Sequence, residues 1–140
     1  MPTATAPVPD PTLHFVAESR DERSLTRGMI GLTVRIARAL NKLWRRVGSI
    51  FSDRFHARIL RTPREVRNAL VYVLQNARKH GAWRALFPDV YSSGASFEGW
   101  KTNPAVSSGR LLARARTWLL TVGWKKRGLI DPREAPAGTP

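Results

Sequence analysis

The four residues Thr62-Pro63-Arg64-Glu65 constrain what this chain can fold into more than any others. A threonine side chain can accept from the N–H three residues on, and a glutamate there can return its carboxylate to the threonine N–H. Proline at the first helical position gives up a donor that the first turn cannot use. A helix is therefore predicted to start at Pro63. Val66, Ala69, Leu70, Val73, Leu74 and Ala77 recur at steps of three and four, which makes one core-facing side. His80-Gly81 is expected to close the helix. Tyr72 falls off that side: at 100° per residue it points roughly 130° from the apolar centre, with Asn68 and Asn76 one turn before and after it.

The rest of the chain is read around this helix. A long helix is predicted from about Ser24, a candidate N-cap, to Val47, ended by Gly48. Leu25, Met29, Leu32, Ile36, Leu40 and Leu43 form its apolar face, while Arg35, Arg38, Lys42 and Arg45 follow the same steps on another. Two segments read as strands: 13–18 (LHFVAE), and 50–60, which alternates Phe55, Ala57 and Ile59 against Arg54, His56 and Arg58. A third helix is expected over 108–127, burying Leu111, Ala115, Trp118, Leu119 and Val122, with the cations of Lys125-Lys126-Arg127 at its C-terminal end. Residues 83–107 read as an irregular connection whose aromatics, among them Phe97 and Trp100, serve packing. The proline-rich stretch 1–11 and the tail 128–140 are expected to be disordered. The fold class is α+β.

Composition decides the class of partner. The 140 residues include no cysteine, so there is neither a disulfide framework nor a cysteine metal site. No apolar run approaches a membrane span, and the first eleven residues lack the features of a secretory signal. A cytoplasmic location is expected, nucleoid-associated when bound to DNA, with no membrane partner. The net charge is +14, and 19 of the 24 basic residues are arginine. Residues 1–19 hold only Asp10 and Glu18, and residues 128–140 only Asp131, Arg133 and Glu134, so 20–127 carries +17. Arginine pairs with phosphate through two parallel hydrogen bonds and stacks on bases. Nucleic acid, and most directly DNA, is the expected partner.

The order of these pieces resembles the single-tyrosine HUH transposases, specifically the REP-associated tyrosine transposase group. The segments that carry the resemblance are LHFVAE, SLTRGMIGLTVRIARALNKLWRR and RFHARILRTPREVRNALVYVLQN, within a transposase-like core over 12–82. The resemblance implies an incomplete ferredoxin-like fold, an antiparallel sheet with helices, plus a C-terminal helix. It implies binding of single-stranded or hairpin DNA, with cleavage and rejoining through a 5′-phosphotyrosine intermediate. Tyr72 would be the nucleophile. His14 and Asn76 would hold a divalent metal, Mg²⁺ or Mn²⁺. Arg35, Arg38, Lys42, Arg45, Arg54, His56, Arg58 and Arg61 would line the DNA path.

The sequence departs from the family pattern in two places. Thr12 stands where the motif has its first histidine, and a hydroxyl is a poor metal ligand. Only the proline-rich residues precede the motif, where the family has a strand, a helix and a strand. The chain is therefore expected to be a truncated, diverged or wrongly started member. Two alternatives stay open beside the active transposase: a DNA-binding remnant without catalysis, and a basic RNA-binding protein.

Overall fold

The structure, a computed structural model, describes residues 12–76, 92–102 and 112–137. The chain divides into two compact units, residues 1–14 with 19–58, and residues 15–18 with 59–140.

The first unit is organised by helix α1, Glu22–Trp44. It starts earlier than the periodicity predicts, because Asp21 rather than Ser24 caps it. The Asp21 carboxylate accepts from the Ser24 N–H at 2.7 Å, and the first helical bond runs from Leu25 N–H to the Asp21 carbonyl. The helix ends on Arg45 in the left-handed region (φ 50°), and the chain turns again at Gly48 (φ 106°), whose carbonyl accepts from the Asn41 amide at 2.9 Å. No residue of α1 is buried. Leu25, Met29, Ile36 and Leu40 are half-buried, whereas Leu43 is 73% exposed.

The second unit holds the main core. Helix α2, Pro63–Leu74, begins with the expected reciprocal cap: Glu65 N–H donates to Thr62 Oγ1 (3.2 Å) and Thr62 N–H to Glu65 Oε2 (3.0 Å). Its buried residues are Val66, Leu70, Val71 and Leu74. The buried side is thus rotated toward Val71, and Val73 is only half-buried. Trp100, Trp124 and Ile130 complete the cluster, with Val16, Leu60, Phe97, Leu119 and Leu120 packed against it. Phe97 lies edge-on to Trp100 (centroids 5.3 Å apart) and stacks on Trp124 (5.7 Å). Each indole N–H finds a carbonyl, Trp100 that of Gly94 and Trp124 that of Leu120.

The expected α+β class is not what forms. The described residues are helices, turns and extended coil, without a β-sheet; Trp100 and Ile130 make an isolated parallel bridge. Neither 13–18 nor 50–60 is a strand. Alternation gives a segment two faces, but a strand needs a neighbour for its backbone donors and acceptors. Among the described residues no neighbouring strand runs beside either segment, and both stay extended coil. The incomplete ferredoxin-like sheet is therefore absent from the described residues.

The third helix also differs. Residues 113–116 are not helical, and 103–111 lie outside the described residues. The Glu18 carboxylate accepts from Arg116 N–H (2.9 Å), Thr117 N–H (2.8 Å) and the Thr117 hydroxyl (2.6 Å). These bonds fix a helix start at Thr117, and Thr121 N–H bonds back to the Thr117 carbonyl. The turn then widens into a π-type stretch over Leu119–Gly123 and tightens into a 3₁₀ turn over Trp124–Arg127. Burial falls on Gly123 and Trp124.

Residues 128–137 are packed rather than a loose tail. Ile130 is fully buried, and the Gln75 amide donates to the Pro132 carbonyl at 2.7 Å. Arg67 donates to the Gly128 carbonyl, the Leu129 carbonyl and both oxygens of Glu134. The expectations for 1–11, for 77–91 and for 138–140 lie outside the described residues. No described helix is long and apolar enough to cross a membrane.

Candidate nucleic-acid interface

Helical geometry decides where the α1 cations point. At 100° per residue, Arg35, Arg38 and Lys42 fall within about 60° of arc, on the side away from Leu25, Met29, Leu32, Ile36, Leu40 and Leu43, and Arg45 follows as the left-handed residue that ends the helix. All four are exposed, as are Arg23 and Arg27 on the same helix, whose one acid is Glu22. No ion pair engages Arg35, Arg38, Lys42, Arg45 or Arg54 among the described residues. Arg54, His56 and Arg58 follow in the same unit, exposed on extended coil and not on the face of a strand. Arg61 belongs to the second unit, where its N–H donates to Glu65 Oε2 at 2.8 Å and its side chain is exposed.

Arg67 is not a free surface cation of this kind. Its side chain is 17% exposed and committed to Glu134, which holds the Glu134 carboxyl below the ordinary carboxylate range. In return, the hydrogen bonds to Glu134 raise the Arg67 guanidinium. This arginine fixes the fold: four of its five N–H donors are bonded within the protein.

Tyr72 and Asn76 stand one turn apart on the second unit. Tyr72 is half-buried and lies, by helical step, on the side of α2 opposite Val66, Leu70, Val71 and Leu74. Asn76 Oδ1 is buried and, among the described residues, accepts no hydrogen bond, which is costly for an amide oxygen. His14 belongs to the first unit and is half-buried; Thr12 is exposed there. A divalent ion takes several oxygen or nitrogen donors. Among the described residues no three His, Cys, Asp or Glu side chains gather as such a group. Asn76 offers one neutral oxygen, which does not make a donor set.

Sequence periodicity places Trp118 on a buried face, but the residue is 53% exposed. Lys126 Nζ stands 5.3 Å from its ring centroid. In the same stretch of sequence Arg114, Arg116, Lys125 and Arg127 are exposed. A reading of 112–130 as one acid-free basic stretch with an aromatic inside it was the available signal.

No protein-family model, curated protein or solved structure matches this chain.

Proposed function

We propose that the protein binds nucleic acid, single-stranded or hairpin DNA by preference, through the exposed cations of α1 and of the 54–61 segment. The observation that carries this reading is the exposed arc Arg35, Arg38 and Lys42, with Arg45 after it, free of ion pairs among the described residues. Phosphate is the most abundant anion spaced to meet such an arc, and arginine matches its geometry. The net charge of +14 speeds encounter with a polyanion over distances of a Debye length. The test is titration of a labelled DNA hairpin, its RNA counterpart and an unstructured strand at several salt concentrations. Salt-sensitive binding with a DNA preference is expected. Equal or tighter binding of the RNA hairpin would move the reading to RNA.

A second reading adds strand cleavage through Tyr72, as the resemblance to the tyrosine transposases implies. It is favoured by Asn76 Oδ1, unpartnered among the described residues, one turn from Tyr72. The Tyr72 oxygen would bond to phosphorus, and the bond from phosphorus to the 3′ oxygen would break. The 5′-phosphate would stay on the tyrosine, and the departing 3′ oxygen would take up a proton. The check is a denaturant-resistant protein–DNA adduct that Tyr72→Phe removes. Binding with no adduct, across a range of added divalent metals, would leave a DNA-binding protein without this chemistry.

A further inference from the structure

We infer that Trp118 is a stacking platform for an unpaired base, with Lys126 placed to take the phosphate of the same nucleotide. The inference rests on the nucleic-acid reading above and extends it to a separate surface in the second unit.

Three observations carry it. Trp118 is 53% exposed although its neighbours Leu119 and Leu120 pack against the core. Its ring is also backed by main chain. A Cβ on Gly123 would come within 2.8 Å of Trp118 Cζ3 and 3.0 Å of Cε3, so the ring lies directly against the Gly123 backbone. A side chain backed in this way loses less entropy when a ligand arrives. Finally, Lys126 Nζ sits over the ring at 5.3 Å, where the electron-rich face attracts it.

The charge of the segment that carries the ring selects the occupant. Arg114, Arg116, Lys125, Lys126 and Arg127 are all exposed, and no acidic residue lies between 112 and 130. The carboxylate bonded at this turn, Glu18, accepts from the Arg116 and Thr117 N–H groups and the Thr117 hydroxyl, and its single negative charge is outnumbered by these five cations. A second copy of so basic a surface is disfavoured by like charge. A nucleotide supplies a flat π-face for the indole and an anion for the ammonium. In a duplex the base faces are stacked on one another, so only an unpaired base can present one.

The experiment measures binding of the full chain to a short oligothymidine and to a duplex of similar length, over a range of salt. The proteins are the parent, Trp118→Ala, Trp118→Phe and Lys126→Gln. Trp118→Ala is expected to weaken binding of the single strand by about 5- to 150-fold, the usual loss for one stacked base. Its slope of affinity against salt should match the parent, because every phosphate-binding cation is still present. Duplex binding should change by less than about twofold, and Trp118→Phe should keep most of the single-strand affinity. Lys126→Gln should flatten the salt slope by about 0.7. Tryptophan emission should be quenched by oligothymidine in the parent and less so in Trp118→Phe. Unchanged single-strand binding by Trp118→Ala would overturn the platform and leave the nucleic-acid reading standing. Equal losses on single strand and duplex would also overturn it, as general damage. Failure of the parent to bind either oligonucleotide at low salt would overturn both.

Discussion

Arg67 and Glu134 meet in a two-pronged pair across 67 residues of sequence, Nη1 to Oε1 at 2.6 Å and Nη2 to Oε2 at 2.8 Å. The same guanidinium donates to the carbonyls of Gly128 (2.8 Å) and Leu129 (3.1 Å). One side chain on α2 thereby holds three residues of the 128–134 segment and seats Ile130 in the core.

Arg67→Lys should lower the free energy of unfolding by about 1.5–3 kcal/mol, the range for hydrogen bonds to charged groups. Lysine keeps the charge but cannot present the planar fork. Denaturant titration reads the loss. A shift below about half a kilocalorie per mole would show that the fork contributes little.

Glu134 also sets a pH dependence. The hydrogen bond from Arg67 depresses its carboxyl below the ordinary glutamate value. Its stabilisation is therefore complete above the ordinary value, which the unfolded chain keeps, and is lost as pH falls through the lower folded-state pKa. Glu18 acts in the same direction: burial pushes its carboxyl up, but hydrogen bonds from Thr117 and Arg116 outweigh burial and leave it depressed. Thermal midpoints measured from neutral pH into the acid range should fall as these carboxylates take up protons. Glu134→Gln should start lower and fall less steeply, because Glu18 and Asp21 still titrate.

Gly99→Ala should be strongly unfavourable for its size. The added Cβ would overlap the Trp124 ring and the Phe97 ring tip, and both rings sit in the core cluster. Overpacking of this kind costs about 1–3 kcal/mol. The near-ultraviolet dichroism of the Phe97–Trp100–Trp124 group should change together with stability. An unaltered stability would mean that the rings yield easily.

The triple change Arg35→Gln, Arg38→Gln and Lys42→Gln should leave α1 intact, since all three side chains are exposed and glutamine is a good helix former. On a single strand, each phosphate that the protein ceases to neutralise flattens the salt slope by about 0.7, so a change of about 2 is expected. An unchanged slope would place the phosphates elsewhere on the protein.

Hydrogen exchange should separate the two units. Helix α1 buries no residue, whereas α2 buries four. Amides of α1 are expected to exchange through easier opening than those around Leu70 and Val71. Equal protection in both helices would show that an unseen partner covers α1.

Local chemistry was legible in the sequence; chemistry between distant residues was not. The Thr62–Glu65 cap is contained in four residues and forms as read. The α1 cations are legible because periodicity alone sends them away from the apolar face. At its start, two good caps compete, and Asp21 prevails over Ser24 by bonding the Ser24 N–H. The predicted strands fail because alternation shows two faces but never the neighbour that would pair with them. Trp118 is misplaced because its face is reckoned on an α-helix from 108. The turn in fact starts at Thr117, where Glu18 caps it from about a hundred residues away, and then widens before Gly123. The commitment of Arg67 is not legible locally because its partner lies 67 positions later.

That distance also orders events during synthesis. Helix α2 leaves the ribosome well before Trp124, Ile130 and Glu134 have been made, so Val66, Leu70, Val71 and Leu74 are translated long before the residues that cover them. The cap at Thr62 lets the helix form early, but its apolar side waits in water for the later segment. Closing so long a loop makes for slow folding, and the interval is one in which the nascent chain is open to chaperones or to its neighbours on the same messenger.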